Sequence, residues 1–481
     1  MLFNSIHFIF FLPIIFLGYW LLNKKELRLQ NAFLLVASYY FYSCWDWRFV
    51  FLLAFSTLLD YYSGIVIHNS SAQKAKKTWL FISIFINLGF LAYFKYYNFF
   101  INSFAELLQS FGFNPNFALL NIVLPVGISF YTFHGLSYVI DIYYDRIKPT
   151  TNWINYFLFV SFFPLLVAGP IERATHLLPQ IERRRNFSYS QSIDGLKQIL
   201  WGFFKKIVIA DNCAQYADMI FNDSHSYSGS TLVLGALFFA FQIYGDFSGY
   251  SDIALGTARL FGFELLKNFN FPYFSRDIAE FWRRWHISLS SWFKDYLYIP
   301  LGGSKGGNWM KVRNTFIIFI VSGFWHGANW TFIVWGALNA FFIIPSIILK
   351  SNRNNLDIVA KGKLLPTVKE FFQIILTFGL TCFAWIFFRA DSIHSAVSFI
   401  GDIFSRSLFK FPQLPKASLL ILLLVGFFMI IEWLGREQNY AIEKLFSRFP
   451  SFGKWLIYSV LLFLIGLYMQ TNETSFIYFQ F

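Results

Sequence analysis

Long apolar tracts recur along the whole chain and are separated by short polar connections. A membrane-spanning helix needs about 20 predominantly apolar residues. The candidate tracts are 5–22, 31–44, 48–67, 79–97, 119–143, 195–220, 231–262, 314–349, 371–388, 417–434 and 455–471. The tract 314–349 is long enough for two helices, so the pattern predicts about ten to twelve crossings. We therefore expect an all-α, polytopic membrane protein with a single membrane domain over 1–481.

Basic residues in the connections predict how the chain is oriented. Residues 23–30, which include Lys25, and residues 68–78 each contain three Lys or Arg residues, whereas residues 98–120 contain none. Because cytoplasmic connections carry the excess of basic residues, we expect the first two connections in the cytoplasm and 98–120 outside. The N-terminus would then face outward, and the first tract would be an uncleaved spanning helix.

Two regions do not fit simple alternation across the membrane. The apolar segment 154–170 has Arg146 before it and Lys205 and Lys206 after it. We predict that this segment is re-entrant or lies along the surface, and that it adjoins a polar cavity. The stretch 263–313 combines eight Lys or Arg residues with four acidic residues and several Trp and Tyr. That mixture is typical of interfacial helices, and it predicts a cytoplasmic belt.

The composition agrees with a lipid environment. Hydrophobic residues make up 56% of the 481 residues and charged residues 14%, whereas soluble proteins carry about 25% charged residues. The net charge of +13 is interpreted as a topology signal and not as a sign of nucleic-acid binding. The three cysteines form no C-x-x-C pair, so neither a disulfide framework nor a zinc knuckle is indicated.

Three histidines lie inside otherwise apolar or aromatic sequence. His326 lies in IIFIVSGFWHGANW, His286 in FWRRWHISLSSW, and His134 in ISFYTFHGLSYVIDIYY. Polar groups inside lipid are costly, so they mark either a functional site or a satisfied structural contact. The structural alternative is an imidazole bonded to a neighbouring carbonyl or packed among aromatic rings, and for His134 we favour packing.

Acidic residues also interrupt the apolar tracts. Asp246 and Asp252 lie in the glycine-bearing sequence QIYGDFSGYSD, which predicts a broken helix lining a polar path or, alternatively, a helix cap. No H-E-x-x-H sequence is present, so a zinc site is not expected. The glycine-rich stretch 302–307 lacks P-loop spacing and is interpreted as a turn.

The histidine-bearing sequences resemble the signature of a known family. The sequences FWRRWHISLSSWFKDYLYIPLGGS (281–304) and VSGFWHGANWTFIVWG (321–336) resemble the membrane-bound O-acyltransferase family. The sequences PVGISFYTFHGLSYVIDIYY, FFPLLVAGPIER and QIYGDFSGYSDIALGTARLFGF resemble its bacterial branch of alginate O-acetyltransferases and teichoic-acid D-alanyl transfer proteins. The resemblance covers about 120–400 most strongly. It implies a ring of helices around a central funnel, with re-entrant or interfacial helices at its thin centre.

The resemblance also implies roles for individual residues. His326 matches the family's near-invariant histidine, which is taken as catalytic, and His286 matches a second signature position that is often His or Asn. No metal and no permanently bound cofactor are implied. Four further residues are candidates for substrate contact: Trp325, Asn329, Asp246 and Arg283.

The reaction implied by the resemblance is acyl transfer from a thioester to a hydroxyl. We expect His326 to act as general base and His286 to position the donor or share the proton transfer. The donor would be cytoplasmic acetyl-CoA or another acyl thioester. The acceptor would be a polysaccharide outside the cytoplasm or a partner protein, such as a periplasmic SGNH-type acetyltransferase. The expected location is the bacterial inner membrane.

A second function class fits the same polar breaks in an apolar bundle. A transporter or flippase of a polymer or lipid intermediate would need such breaks without any covalent chemistry. Consumption of a thioester by the purified protein separates the two classes, because only the acyltransferase cleaves it.

Overall fold

The computed structural model describes residues 1–24, 26–166, 169–469 and 476–477, and every regular element in these ranges is helical. The chain is an all-α, multi-pass membrane protein, as the apolar tracts predict. Lys25 and residues 167–168 of the predicted re-entrant segment lie outside the described residues. Among the described residues, seven helices are long and apolar enough to span a membrane: Arg48–Asn69, Gln73–Ser110, Gly229–Leu260, Trp330–Ile348, Val368–Arg389, Ala417–Gly435 and Ser451–Tyr468.

Three shorter apolar helical stretches accompany these seven, namely Ile6–Leu21, Trp153–Leu166, which is broken at Phe162, and Ile393–Ile403. The total of ten to twelve crossings and the ring around a central funnel stay predictions. The expected orientation of the connections also stays a prediction.

The chain divides into two compact units. The first unit comprises Met1–Ser192 and Thr257–Leu266. The single membrane domain expected over 1–481 stays a prediction. The helices that lie wholly in the first unit are α1 (Ile6–Leu21), α2 (Leu27–Ser43), α3 (Arg48–Asn69), α4 (Gln73–Leu91), α5 (Tyr97–Ser110), α6 (Ile128–Tyr143), α7 (Trp153–Ser161), α8 (Phe163–Leu166) and α9 (Ala174–Ile181).

A buried carboxylate joins three helices of the first unit. Asp60 on α3 accepts hydrogen bonds from the Ser83 hydroxyl at 2.6 Å and the Asn87 amide at 2.8 Å, both on α4. On α6, Gly135 lies so close to the Asp60 carboxylate that a Cβ atom would collide with it. Hydrogen bonding of this kind is how a buried polar group is kept inside an apolar bundle.

The apolar segment 154–170 forms a broken and buried element in the first unit. Helix α7 ends at Ser161, and the backbone at Phe162 leaves the helical region before α8 begins. The described side chains from Leu158 to Leu166 are almost all fully buried. Such a break is tolerated at membrane depth when the backbone is covered by protein, so this segment is not a lipid-facing span.

The second unit comprises Ile193–Gly256 and Lys267–Phe481. Two helices, α10 and α12, also have a few residues in the first unit. The helices of the second unit are α10 (Tyr189–Phe203), α11 (Asp211–Asn222), α12 (Gly229–Leu260), α13 (Ile278–Arg284), α14 (Ile287–Phe293), α15 (Gly307–His326), α16 (Trp330–Ile348), α17 (Val368–Arg389), α18 (Ile393–Ile403), α19 (Ala417–Gly435) and α20 (Ser451–Tyr468).

Helix α12 runs without interruption through the sequence that predicted a broken helix, so that prediction is wrong. Its glycines serve close packing instead of a break. A Cβ atom at Gly245 would lie 2.9 Å from the Lys205 carbonyl oxygen, and one at Gly249 would lie 2.7 Å from the Gly202 carbonyl oxygen. The absence of side chains therefore lets the backbone that follows α10 lie directly against α12.

Lys205 and Lys206 are buried in ion pairs and do not lie in an exposed connection between helices. Counting them among the basic residues that indicate a cytoplasmic connection after 154–170 is therefore wrong. Their residual exposures are 4% and 2%. The Lys206 ammonium lies 2.7 Å from Asp246 Oδ1 and 2.8 Å from Asp211 Oδ1, and the Lys205 ammonium lies 2.9 Å from Asp252 Oδ2. Buried charges persist inside protein when they are paired in this way.

The basic and aromatic stretch 263–313 is largely folded into the second unit. The Glu280 carboxylate lies 3.1 Å from Arg276 Nε and 2.8 Å from Arg284 Nη2, and all three side chains are buried. The Trp285 ring is also fully buried. The segment around α13 and α14 is therefore internal and does not lie on the surface as an interfacial helix.

Candidate functional site

His326 is the last residue of α15, at the turn of a closely packed helical hairpin. Two glycines make this hairpin possible. A Cβ atom at Gly323 on α15 would collide with the Phe332 carbonyl, and one at Gly336 on α16 would collide with the Phe319 carbonyl. The tract 314–349 therefore forms two helices whose backbones touch, and the hairpin fixes the position of His326.

His286 lies between α13 and α14 with a left-handed backbone. Its φ of 43° and ψ of 54° are unusual for a residue with a side chain, and such a conformation persists only where the surroundings enforce it. Two backbone hydrogen bonds do so here. The Ile287 N–H donates to the Asn268 carbonyl at 2.9 Å, and the Asn270 N–H donates to the Arg284 carbonyl at 3.0 Å.

The two imidazoles are buried close to each other. The His286 and His326 ring centroids are 6.2 Å apart, with 58° between the ring planes. His286 is 1% exposed and His326 is 3% exposed. His286 lies outside the candidate spans, and its burial lowers the pKa of its imidazole to about 3, so this ring is neutral near pH 7.

Aromatic rings surround both imidazoles. The Trp325 ring centroid lies 4.9 Å from that of His326 and 6.0 Å from that of His286. The Trp335 ring lies 5.1 Å from His326 in an edge-on arrangement, and the Phe247 ring lies 4.6 Å from His286. Such a lining restricts water, which strengthens electrostatic interactions inside the site.

Three other predicted substrate contacts have structural partners. Asn329 caps α16 by accepting a hydrogen bond from the Thr331 N–H at 3.0 Å. The Arg283 guanidinium donates to the Asn352 carbonyl at 2.8 Å and also to the Asn355 carbonyl. Asp246, in its pair with the Lys206 ammonium, precedes Phe247 on α12. Substrate contact by these residues stays a prediction.

Four cationic residues line a cleft of about 590 Å³ in the second unit, which we call the basic cleft. Its cations are Arg283, Lys311, Lys350 and Arg353. Sequence reasoning named Arg283 only. The available signal was the placement of Lys311, Lys350 and Arg353 just outside the two ends of the apolar tract 314–349.

The basic cleft extends to within one helical turn of both histidines. Its lining includes Ser290, whose N–H donates to the His286 carbonyl at 3.0 Å. It also includes Ser322, which precedes His326 by one turn on α15. The Trp282 ring lines the cleft too and packs 5.7 Å from Trp335, which contacts His326.

His134 belongs to the first unit, whereas His286 and His326 belong to the second. Its Nε2 accepts a hydrogen bond at 3.1 Å from the N–H of Glu172. Glu172 Oε2 lies 2.8 Å from Nδ1 of His176. His134 is 1% exposed and its ring centroid lies 5.8 Å from that of Phe159, which is the packing that the sequence favoured for it. Among the described residues, no group of three or more His, Cys, Asp or Glu side chains is arranged to hold a metal ion.

Comparison with known proteins agrees with these motifs. Residues 144–388 match the family model of the membrane-bound O-acyltransferases. The chain is 39% identical over 445 residues to a Pseudomonas aeruginosa protein named "Probable alginate O-acetylase AlgI", covering 92% of this chain and 82% of that protein. It is 37% identical over 426 residues to the Helicobacter pylori "Peptidoglycan O-acetyltransferase", covering 82% and 78% respectively.

A more distant match is the Bacillus subtilis "Teichoic acid D-alanyltransferase", which is 27% identical over 292 residues and covers 57% of this chain and 71% of that protein. These proteins share the acyltransferase class and differ in the acceptor that their names state. The paired histidines, the family match and the close relatives together establish that the chain belongs to the membrane-bound O-acyltransferase family and is an O-acyltransferase.

Proposed function

We propose that this protein transfers an acetyl group from cytoplasmic acetyl-CoA to hydroxyls of a polysaccharide on the outer side of the bacterial inner membrane. Where the first hydroxyl to be acetylated belongs to a partner protein of the periplasmic SGNH type, that partner would pass the acetyl group on to the polysaccharide. The observation that carries this proposal is the pair of buried imidazoles within one helical turn of the lining of the basic cleft. The named acceptors of the relatives, alginate and peptidoglycan, support a polysaccharide.

The basic cleft suits an anionic thioester. Lys and Arg side chains attract phosphates and bind them through charge-assisted hydrogen bonds. Acetyl-CoA carries its phosphates at the end remote from the thioester. With those phosphates at the four cations, the pantetheine arm would run along the cleft towards Ser290 and Ser322, and the thioester would lie near the imidazoles.

His326 and His286 have different parts in the transfer. His326 takes the proton of the acceptor hydroxyl as its oxygen attacks the thioester carbonyl. The new C–O bond forms a tetrahedral intermediate, and the C–S bond then breaks. The coenzyme A thiolate leaves and takes the proton from the His326 imidazolium. His286, neutral and held by its backbone turn, orients the donor beside it.

Thiol release by the purified protein tests the proposal. Full-length protein in lipid nanodiscs is given acetyl-CoA, and free thiol and acetylated oligosaccharide are measured. A general base is typically worth about 10²–10⁴-fold, so His326→Gln should lower the rate by that factor, while the exposed His68→Gln should not. Wild-type rates in His326→Gln would remove His326 from the reaction, and a wild-type protein that never cleaves thioester would contradict the acetyl-CoA donor.

A further inference from the structure

A second cleft, of about 550 Å³, lies where α16 and α17 meet the segment that connects them. Its lining includes Ser346 near the end of α16 and Thr367 immediately before α17, and both helices are candidate spans. The end of a spanning helix lies at the level of the lipid headgroups. We call this cleft the lysine cleft, because Lys361, Lys363 and Lys369 line it.

The backbone of residues 360–363 is fixed in a turn at this cleft. Ala360 has a φ of 46°, a left-handed conformation that persists only where the surroundings enforce it. The Arg436 guanidinium donates to the Ala360 carbonyl at 2.7 Å, and the Gly362 N–H donates to Glu437 Oε1 at 2.7 Å. The two lysines on either side of Gly362 are therefore carried by a backbone that is already ordered.

The charges of the lysine cleft are only partly balanced within the protein. The Arg276 guanidinium lies 2.8 Å from Asp357 Oδ1 and 3.4 Å from Glu370 Oε1. The third carboxylate of the lining, that of Asp277, accepts a hydrogen bond from the Asn355 amide at 2.7 Å. The three lysine side chains are exposed, and within the described part of the chain none of them forms an ion pair. The lining therefore offers three ammonium groups to an anion.

Apolar side chains beside the cleft are exposed where acyl chains would lie. Leu364 and Leu365 follow the lysine-bearing turn, and Val368 and Phe372 lie in the first turns of α17; all four are largely exposed. Lys and Arg side chains bind phosphate through charge-assisted hydrogen bonds, and basic pockets between spanning helices bind the headgroups of anionic lipids. The apolar neighbours favour a lipid over a soluble phosphate.

We propose that the lysine cleft binds the phosphate of an anionic phospholipid, such as phosphatidylglycerol, whose acyl chains lie along the start of α17. The same connecting segment reaches the basic cleft, because Arg353 lines the basic cleft and Asn354 lines the lysine cleft. Bound lipid would thus hold in place the segment that supplies a cation to the basic cleft. Lipid binding here does not depend on the proposed acetyl transfer.

Competition between two lipids tests the site. Phosphatidylglycerol and phosphatidylcholine with identical acyl chains compete for full-length protein in detergent micelles, and native mass spectrometry counts the bound lipids. We expect wild type to prefer phosphatidylglycerol by about tenfold or more, since each lysine near the headgroup adds to the attraction. The triple variant Lys361→Gln, Lys363→Gln, Lys369→Gln should lose most of this preference, and the corresponding triple arginine variant should keep it.

A charge-matched control separates a site from general surface charge. The triple variant Lys444→Gln, Arg448→Gln, Lys454→Gln removes the same three positive charges from residues that follow α19 and lie outside the lining. Its preference for phosphatidylglycerol should equal that of wild type. Hydrogen exchange then locates the lipid, because phosphatidylglycerol should protect the backbone amides of 350–367 in wild type and phosphatidylcholine should not.

Four outcomes would overturn the inference. They are a wild type without preference for phosphatidylglycerol, an equal loss of preference in the glutamine variant and the charge-matched control, protection that falls outside 350–367, and displacement of the lipid by millimolar glycerol 3-phosphate. The last would identify a soluble phosphate as the ligand. These measurements use no acetyl-CoA, so their failure leaves the proposed function standing, whereas a protein that binds the lipid but never releases thiol contradicts only the proposed function.

Discussion

The His286 imidazole lies 6.2 Å from that of His326 although the two residues come from different helical elements. One ring is carried by a hairpin turn and the other by a left-handed residue before a short helix. Each ring is held by its own backbone support, so a substitution at one position is not expected to displace the other. The two positions can therefore be compared directly.

We predict that asparagine can take over the function of the histidine at position 286 but not at position 326. His286→Asn keeps a polar group of similar reach and should retain activity within about tenfold, because a donor-positioning residue need not accept a proton. His326→Asn should lose about 10²–10⁴-fold, since asparagine is no general base. Steady-state thiol release at saturating and subsaturating acetyl-CoA measures both. Equal losses at the two positions would contradict the division of roles.

We predict that the cations of the basic cleft act on donor binding. Replacing Lys311 or Arg353 with Gln should raise the KM for acetyl-CoA about tenfold for each lost phosphate contact and leave kcat nearly unchanged. The matched control is Lys305→Gln, a cation nearby in sequence that does not line the cleft. A fall in kcat with an unchanged KM would show that these cations do not bind the donor. High salt should also raise the wild-type KM for acetyl-CoA, because it screens the attraction between the cations and the phosphates.

The apolar pattern predicts the helices well because it reports a local property. The tract 231–262 corresponds to α12, and the single tract 314–349 becomes the α15–α16 hairpin. Partners in tertiary structure are not local. Lys205 also lies 3.3 Å from Glu432 on α19, and Glu432 accepts a hydrogen bond from the Tyr244 hydroxyl at 2.6 Å. The rule that basic residues mark cytoplasmic connections takes no account of such buried ion pairs.

The same limit applies to the candidate site. The motifs single out His286 and His326, but their distance depends on the left-handed turn at His286 and on the glycine contacts of the hairpin. The basic cleft forms where α13, α15 and the segment after α16 come together. The positions of these elements in the sequence do not indicate how close they lie in the fold. Polar residues at the ends of apolar tracts, such as Lys311 and Lys350, were the only available signal.

We predict that the hairpin does not tolerate one extra methyl group where its backbones touch. Gly336→Ala places a Cβ atom against the Phe319 carbonyl, and a backbone atom cannot move aside as a side chain can. Overpacking of this kind costs about 1–3 kcal/mol. The control is Gly379→Ala on α17, where no atom lies within 4 Å of the added Cβ and alanine favours the helix. Thermal unfolding in detergent should separate the two, and equal melting temperatures would contradict the contact.

We predict that Lys206 stabilises the second unit. Lys206→Met leaves the buried carboxylates of Asp211 and Asp246 without their shared cation, and breaking a buried pair in this way costs about 3–5 kcal/mol. Arg48→Met removes an ion pair with Asp46 in which the Arg48 side chain is 64% exposed. The stability of this variant should not differ measurably from that of wild type. Unfolding curves of the two variants against wild type test this. A Lys206→Met protein as stable as wild type would show that the pair contributes nothing.

Finally, we predict a pH-dependent contribution from His176 in the first unit. The hydrogen bond to the buried Glu172 carboxylate raises the pKa of His176 above its usual 6.5. The folded protein therefore binds this proton more tightly than the unfolded chain does. Its stabilising contribution is fully present below pH 6.5 and is lost as the pH rises through the raised value. The melting temperature of wild type minus that of His176→Gln should shrink over this interval. A difference that stays constant from pH 6 to pH 9 would show that His176 is neutral in the folded protein and only hydrogen-bonded to Glu172.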